Sequence, residues 1–126
     1  MTIRRFVVPV VTDDQGDAEV YSPFVSGKLV SIRYVKAAED SFTDGVDFAI
    51  TSEVTGAAIW AEDDVNASAT RHPRVATNTT AGSAVTYDGA AAAVLTKIVL
   101  GDDRLKIVIS DGGDTHGGTF HITLDS

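Results

Sequence analysis

From Val46 to Val54 the residues alternate without interruption: Phe48, Ile50, Ser52 and Val54 share one face of an extended segment, and Asp47, Ala49, Thr51 and Glu53 share the other. A period of two admits strand and disfavours helix, because successive side chains on a strand point to opposite sides. The same signature recurs along the chain. Lys28 to Lys36 sets Val30, Ile32 and Tyr34 against Ser31, Arg33 and Val35, and Thr119 to Leu124 sets Phe120, Ile122 and Leu124 on one face. Ile3 to Thr12, Ala18 to Ser22, Ala57 to Ala61, Val94 to Leu100 and Arg104 to Ser110 are further short runs rich in β-branched and aromatic residues. Gly, Asp, Pro and Ser punctuate them, at Asp13-Asp14-Gln15-Gly16-Asp17, Pro23, Ser26-Gly27, Thr55-Gly56, Gly101-Asp102-Asp103 and Asp111 to Gly118.

Short strands divided by tight turns predict an all-β fold, a single antiparallel β-sandwich or jelly-roll-like domain over residues 1–126 with one long irregular loop at about 62–93. Local order suggests three pairings: Ile3 to Thr12 with Ala18 to Ser22 as a hairpin, Val94 to Leu100 with Arg104 to Ser110 as a tight hairpin, and a C-terminal meander closed by Thr119 to Leu124. Pro9 cannot donate to a ladder, which puts the first strand at an edge, open to a neighbouring chain, or beside a bulge. No convincing amphipathic helix is present; Ala37 to Asp40 or Ala90 to Leu95 makes at most one turn. The core draws on Phe6, Val8, Val30, Ile32, Tyr34, Phe48, Ile50, Trp60, Ile98, Leu105, Ile107, Ile109, Phe120, Ile122 and Leu124.

Composition narrows the partners. Ten Lys and Arg against 18 Asp and Glu leave a net charge of -8, which repels phosphate backbones and anionic membranes, so neither nucleic acid nor a membrane is expected. The chain has no cysteine, which removes disulfides, thiolate nucleophiles and Cys-based zinc sites and suits a reducing compartment. No apolar run approaches the roughly 20 residues that span a bilayer. The N-terminus lacks the apolar stretch and cleavage site of an export signal, and the expectation is a chain that starts at Met1 and is not exported. Asn66-Ala67-Ser68 and Asn78-Thr79-Thr80 match the glycosylation sequon and are read as chance in a Thr, Ser and Asn-rich stretch.

Glu62 to Ala93 follows neither period. Of its 32 residues, 20 are Ala, Thr, Ser, Asn or Gly. Loops this long in a compact domain are usually functional or disordered. Trp60 precedes the stretch and a strand follows it, so it is held at both ends. Its cationic patch is Arg71-His72-Pro73-Arg74, stiffened by Pro73. In an acidic protein these charges are expected to meet a carboxylate of the same chain or of a partner; the alternative is a surface loop with two incidental arginines. Arg71, His72 and Arg74, with Asn66, Asn78 and Tyr87, are the candidate partner-binding residues.

Catalytic and metal chemistry find little support. Asp111-Gly112-Gly113-Asp114-Thr115-His116-Gly117-Gly118 offers two carboxylates and flexible glycines to a hard cation, but lacks EF-hand spacing and leaves most oxygen positions unfilled, so a solvated loop is the better reading. His116 and His121 lie five apart and His72 is remote; His121 falls opposite Phe120 and Ile122, toward solvent or an interface. No Ser elbow is present, and Glu62-Asp63-Asp64 reads as a solvated turn. No catalytic residue, metal or cofactor is assigned, and the chain is not expected to be an enzyme.

Several phrases taken together resemble a known family: Tyr21-Ser22-Pro23, Val25-Ser26-Gly27, Ile32-Arg33-Tyr34-Val35-Lys36, Asp44-Gly45-Val46-Asp47-Phe48, Ala58-Ile59-Trp60, and Asn66-Ala67-Ser68-Ala69-Thr70-Arg71 followed by Pro73-Arg74. They resemble small structural virion proteins of tailed phages and prophages, over nearly the whole chain, including Arg104 to Ile109 and Gly118 to Ile122. The resemblance implies a virion component assembled in the bacterial cytoplasm, and the leading expectation is a head decoration or cement subunit that binds the major capsid protein or other virion proteins as a homo-oligomer. Two alternatives stand beside it: a head-completion, neck or tail component, and a carbohydrate- or ligand-binding β-sandwich using Trp60 or Tyr87 with the Asp111 to Gly118 loop.

Overall fold

The computed structural model describes residues 2–78, 80–83, 85–86 and 94–125. Its elements are ten strands: β1 (Ile3–Val11), β2 (Ala18–Tyr21), β3 (Val25–Lys36), β4 (Asp47–Ser52), β5 (Ala58–Glu62), β6 (Ala69–Arg71), β7 (Arg74–Ala76), β8 (Leu95–Asp103), β9 (Leu105–Ser110) and β10 (Gly117–Asp125). They form two antiparallel sheets. The larger runs β1-β10-β3-β8-β7, with β6 also paired to β3, and the smaller runs β2-β9-β4-β5. The fold is all-β, and no helix among the described residues is long and apolar enough to cross a membrane.

The sheets meet through aromatic rings. Tyr34 of β3 lies edge-on to Phe48 of β4 with centroids 4.8 Å apart, and Phe120 of β10 lies 5.1 Å from Phe48. Trp60 of β5 completes the group 5.4 Å from Phe48 at an interplanar angle of 89°. Edge-to-face contacts of this kind set the weakly positive rim of one ring on the negative face of another, worth about 0.5–1.5 kcal/mol each beyond the area they bury. Phe42 comes in from the β3–β4 connection and stacks 5.9 Å from Tyr34. Gly118 makes room for both rings: a Cβ there would lie 2.6 Å from Tyr34 and 2.9 Å from Phe42.

The alternation in Val46 to Val54 is carried into the structure, with Phe48, Ile50 and Ser52 buried, although Val54 lies in the β4–β5 turn and is exposed. Leu105, Ile107 and Ile109 of β9 and Phe120, Ile122 and Leu124 of β10 likewise point inward. Pro9 does lie in an edge strand, since β1 ends the larger sheet. Val30 departs from the expected pattern. The β3–β10 register steps from Ser31 opposite Thr123 to Leu29 opposite Leu124, so Val30 is the extra residue of a bulge and Leu29 takes the core position. A bulge shifts the parity of every residue beyond it, and the alternation cannot show where that happens.

The expected hairpins are corrected as well. β1 pairs with β10 and β2 with β9; β8 pairs with β3 and β7, while β9 pairs with β2 and β4. Neither the first hairpin, nor the β8–β9 hairpin, nor a C-terminal meander forms, because the chain changes sheet at each of those turns. Turn residues reverse the chain without specifying which strand receives it. Among consecutive strands of the described residues, only β4–β5 and β7–β8 pair. The described part of the Glu62 to Ala93 stretch, over residues 62–78, is also more regular than its composition implies. It contains β6, β7 and the buried Val65, whose N–H donates to the Val46 carbonyl at 2.9 Å. Three-residue strands are too short to show a period.

The β8–β9 crossing is held by Asp103, which is only 3% exposed. Its carboxylate accepts hydrogen bonds from the Ser52 hydroxyl, the Val54 N–H at 3.1 Å and the Arg104 N–H at 2.7 Å. Burial by itself would raise its pKa, but these donors outweigh burial and hold the carboxyl below its ordinary value. The corner thus ties β8 of one sheet to β4 of the other. Replacing Asp103 with Ala strands three donors, and we expect a loss of about 3 kcal/mol in stability by urea denaturation, with Asp103→Asn losing less.

Candidate functional site

The sequence-derived candidates begin where β5 ends. Arg71 of β6 grips Glu62 of β5 with both nitrogens of its fork, at 2.8 and 2.9 Å, and the Trp60 indole N–H donates to the same carboxylate at 3.1 Å. The guanidinium also lies 5.7 Å from the Trp60 ring centroid. The hydrogen bonds from Arg71 hold Glu62 below the usual carboxylate range, and those to Glu62 raise Arg71. Arg71 therefore meets a carboxylate of its own chain. Trp60 is buried beneath this pair and offers no open face for a sugar ring.

Asn66 is likewise engaged within the chain. Its side-chain oxygen accepts the Gly45 N–H at 2.8 Å and its carbonyl accepts the Lys36 ammonium at 3.0 Å, while the Ser68 hydroxyl accepts the Lys36 N–H. Arg74 of β7 donates to the Val30 carbonyl at 3.0 Å. The bulge explains this contact, because a bulged residue is displaced from the regular ladder and its carbonyl is free to receive a side chain. His72 and Asn78 are exposed, Pro73 between the arginines is buried, and Tyr87 lies outside the described residues. The structure thus draws Asn66, Arg71 and Arg74 onto the body, with His72 and Asn78 facing outward.

The Asp111 to Gly118 loop is packed against two others. The Thr12 hydroxyl donates to the Gly113 carbonyl and accepts the His116 N–H, Gly112 N–H donates to Gly16 at 2.9 Å, and the Thr43 hydroxyl donates to Asp111 at 3.1 Å. His116 Nδ1–H donates to the Ser41 carbonyl at 2.8 Å. Among the described residues no three His, Asp or Glu side chains gather as a metal site would require.

Sequence reasoning missed the surface with the most distinctive chemistry. Eight of the ten Lys and Arg lie in strands of the larger sheet, and only Asp102, Asp103 and Asp125 of the 18 acidic residues do. Alternation places Arg5, Val7 and Val11 of β1 on the outer face, next to Thr119, His121 and Thr123 of β10 and Ser31 and Arg33 of β3. Leu95, Lys97 and Val99 of β8 extend this face on the far side. Val7, Val11, Leu95 and Val99 are each more than half exposed. The arginines and valines are visible in the sequence, but which strands share a sheet is not.

No protein-family model matches the chain, and no curated protein does. Among solved structures, the chain is similar to one described as the crystal structure of FLHE, with 10% identity, a TM-score of 0.48, and 100% of each chain covered.

His121 sits in the centre of the outer face, with Val7 opposite on one side and Arg33 on the other. Its Nδ1 is buried without a hydrogen-bond partner among the described residues. Burial first, and then the charges of Arg5 and Arg33, push its pKa below the ordinary 6.5. As pH falls through that unfolded value, the unfolded chain takes up the proton before the folded one, so stability present above it is lost below. We expect His121→Gln to lose less stability than the parent between pH 7.5 and 5.5, measured as the difference in urea midpoints.

Proposed function

We propose that the protein is a non-enzymatic structural component of a tailed-phage virion, a head decoration or cement subunit that docks on the assembled shell. The observation that carries this reading is the outer face of the larger sheet. It sets exposed Val7, Val11, Leu95 and Val99 among Arg5, Arg33 and Lys97 on a protein whose net charge is -8. Val7 and Val11 at one edge and Leu95 and Val99 of β8 bracket the polar centre of this face, and exposed apolar and cationic groups on an acidic protein suit an acidic partner surface while the rest of the molecule repels it. The phrases from Tyr21 to Arg74 that resemble phage structural proteins supply the partner class, the major capsid protein. A broad sheet face offers a larger contact area for docking on a shell than a concave site would. The reading places the protein in the virion, assembled in the bacterial cytoplasm.

Purified phage shells provide the test. Arg33→Glu combined with Val99→Asp should weaken retention on shells by about tenfold or more, equivalent to roughly 1.4 kcal/mol, while leaving the melting curve of the free protein in place. Retention equal to that of the parent chain would remove the outer face from the interface. No binding by the parent chain to any shell would remove the reading itself.

A further inference from the structure

One edge of the larger sheet, β1, is open to a further strand among the described residues. β1 is nine residues long, ends the sheet and has its outer side chains exposed. Its hydrogen-bond phase follows from one contact: Thr12 N–H donates to the His116 carbonyl at 2.8 Å, in register with Val10 opposite Gly118 and Val8 opposite Phe120. Bonded and non-bonded pairs alternate in an antiparallel ladder, so the even-numbered residues of β1 bond β10. Arg5, Val7 and Val11 therefore turn their N–H and C=O groups to the open edge. Pro9 shares that phase, and its missing donor costs β10 nothing.

The charges along this edge are arranged in opposite sense at its two ends. Arg4 and Arg5 stand at the start of the strand, and Asp13 and Asp14 follow its end. Arg4, Arg5, Asp13 and Asp14 form no ion pair among the described residues. Asp13 accepts the N–H groups of Gln15 and Asp17, and these bonds hold its carboxyl below the usual range and so keep it ionised. We propose that two copies of this chain join edge to edge through antiparallel β1 strands, related by a two-fold axis beside Val8. That axis sets Val7 opposite Pro9, Arg5 opposite Val11 and Arg4 opposite Thr12 of the second copy. Arg4 and Arg5 then stand at the end where the second copy's chain turns out of the strand through Asp13 and Asp14, so that opposite charges face each other. A two-fold axis makes each such contact twice. Strand pairing satisfies the open N–H and C=O groups of Arg5 and Val11 and the Val7 N–H, leaves to water the Val7 carbonyl that meets Pro9, and sets Val7 and Val11 beside the second copy's strand, while the charges choose the antiparallel sense and the register.

The experiment uses the isolated full chain, so its outcome is independent of whether the protein binds shells. Native mass spectrometry and light scattering at micromolar concentration should give twice the 13.2 kDa chain mass. Arg4→Glu with Arg5→Glu makes the whole edge acidic, and Asp14→Lys with Gln15→Lys makes it largely basic. Each double variant alone should run as a single chain with an unchanged melting curve, and an equimolar mixture should restore a two-chain species containing one of each. The amides of Arg5, Val7 and Val11 should exchange slowly in the parent and in the mixture, and rapidly in each variant alone. A single-chain mass for the parent, a two-chain mass for Arg4→Glu with Arg5→Glu alone, or a mixture that forms no mixed pair would each overturn the proposal.

Discussion

The contact of Tyr34 and Phe120 with Phe48 and Trp60 is the one on which the rest of the molecule depends. These four rings come from β3 and β10 of one sheet and β4 and β5 of the other. Without cysteines, no disulfide ties the two layers together. Burial of aromatic surface is what fixes their separation and angle, and dense packing leaves little freedom in either. Gly118 shows how tight the fit is, since the space a methyl group would need is already filled by Tyr34 and Phe42.

A layered fold held by packing has to pass its chain between layers without leaving polar backbone stranded, and the loops do this work. Asp103 satisfies the turn after β4 and the start of β9 with one carboxylate. At the other end, Thr12, Thr43 and His116 lace the Asp111 to Gly118 loop to its neighbours. The glycine-rich run is therefore a fastening of the sandwich, and its backbone groups are used in that role. The same economy applies to the Glu62 to Ala93 stretch, where Arg71 and Arg74 spend their donors on Glu62 and on the Val30 carbonyl.

With the loops committed internally, the surface chemistry that distinguishes this protein lies on the sheet. Arg5 and Arg33, with Lys28 and Lys97 beyond them, give the outer face of the larger sheet a local positive character on an acidic molecule. Such a face orients the protein in a field and rejects approach by its other sides. His121 at its centre carries a cost, since burial and the charges of Arg5 and Arg33 disfavour its protonated form.

The sequence by itself determined the all-β class and most of the core and narrowed β1 to an edge or a bulge, because each follows from local physics: alternation fixes which side chains share a face, and proline lacks a donor wherever it stands. Phe48, Ile50, Trp60, Ile107 and Phe120 were legible in that way. Only the tertiary structure decided which strands became neighbours. The pairing of β8 with β3, not β9, depends on the Asp103 corner and on packing against residues remote in sequence, and the bulge at Val30 depends on how β3 meets β10. The candidate site divides along the same line. That Arg71 meets a carboxylate was one of two readings the sequence left open, beside an incidental surface arginine, and Glu62 as its partner was not legible. The outer face was not legible either, since it exists only once β1, β10, β3 and β8 lie side by side, and strand order is set by long-range contacts that no local pattern encodes.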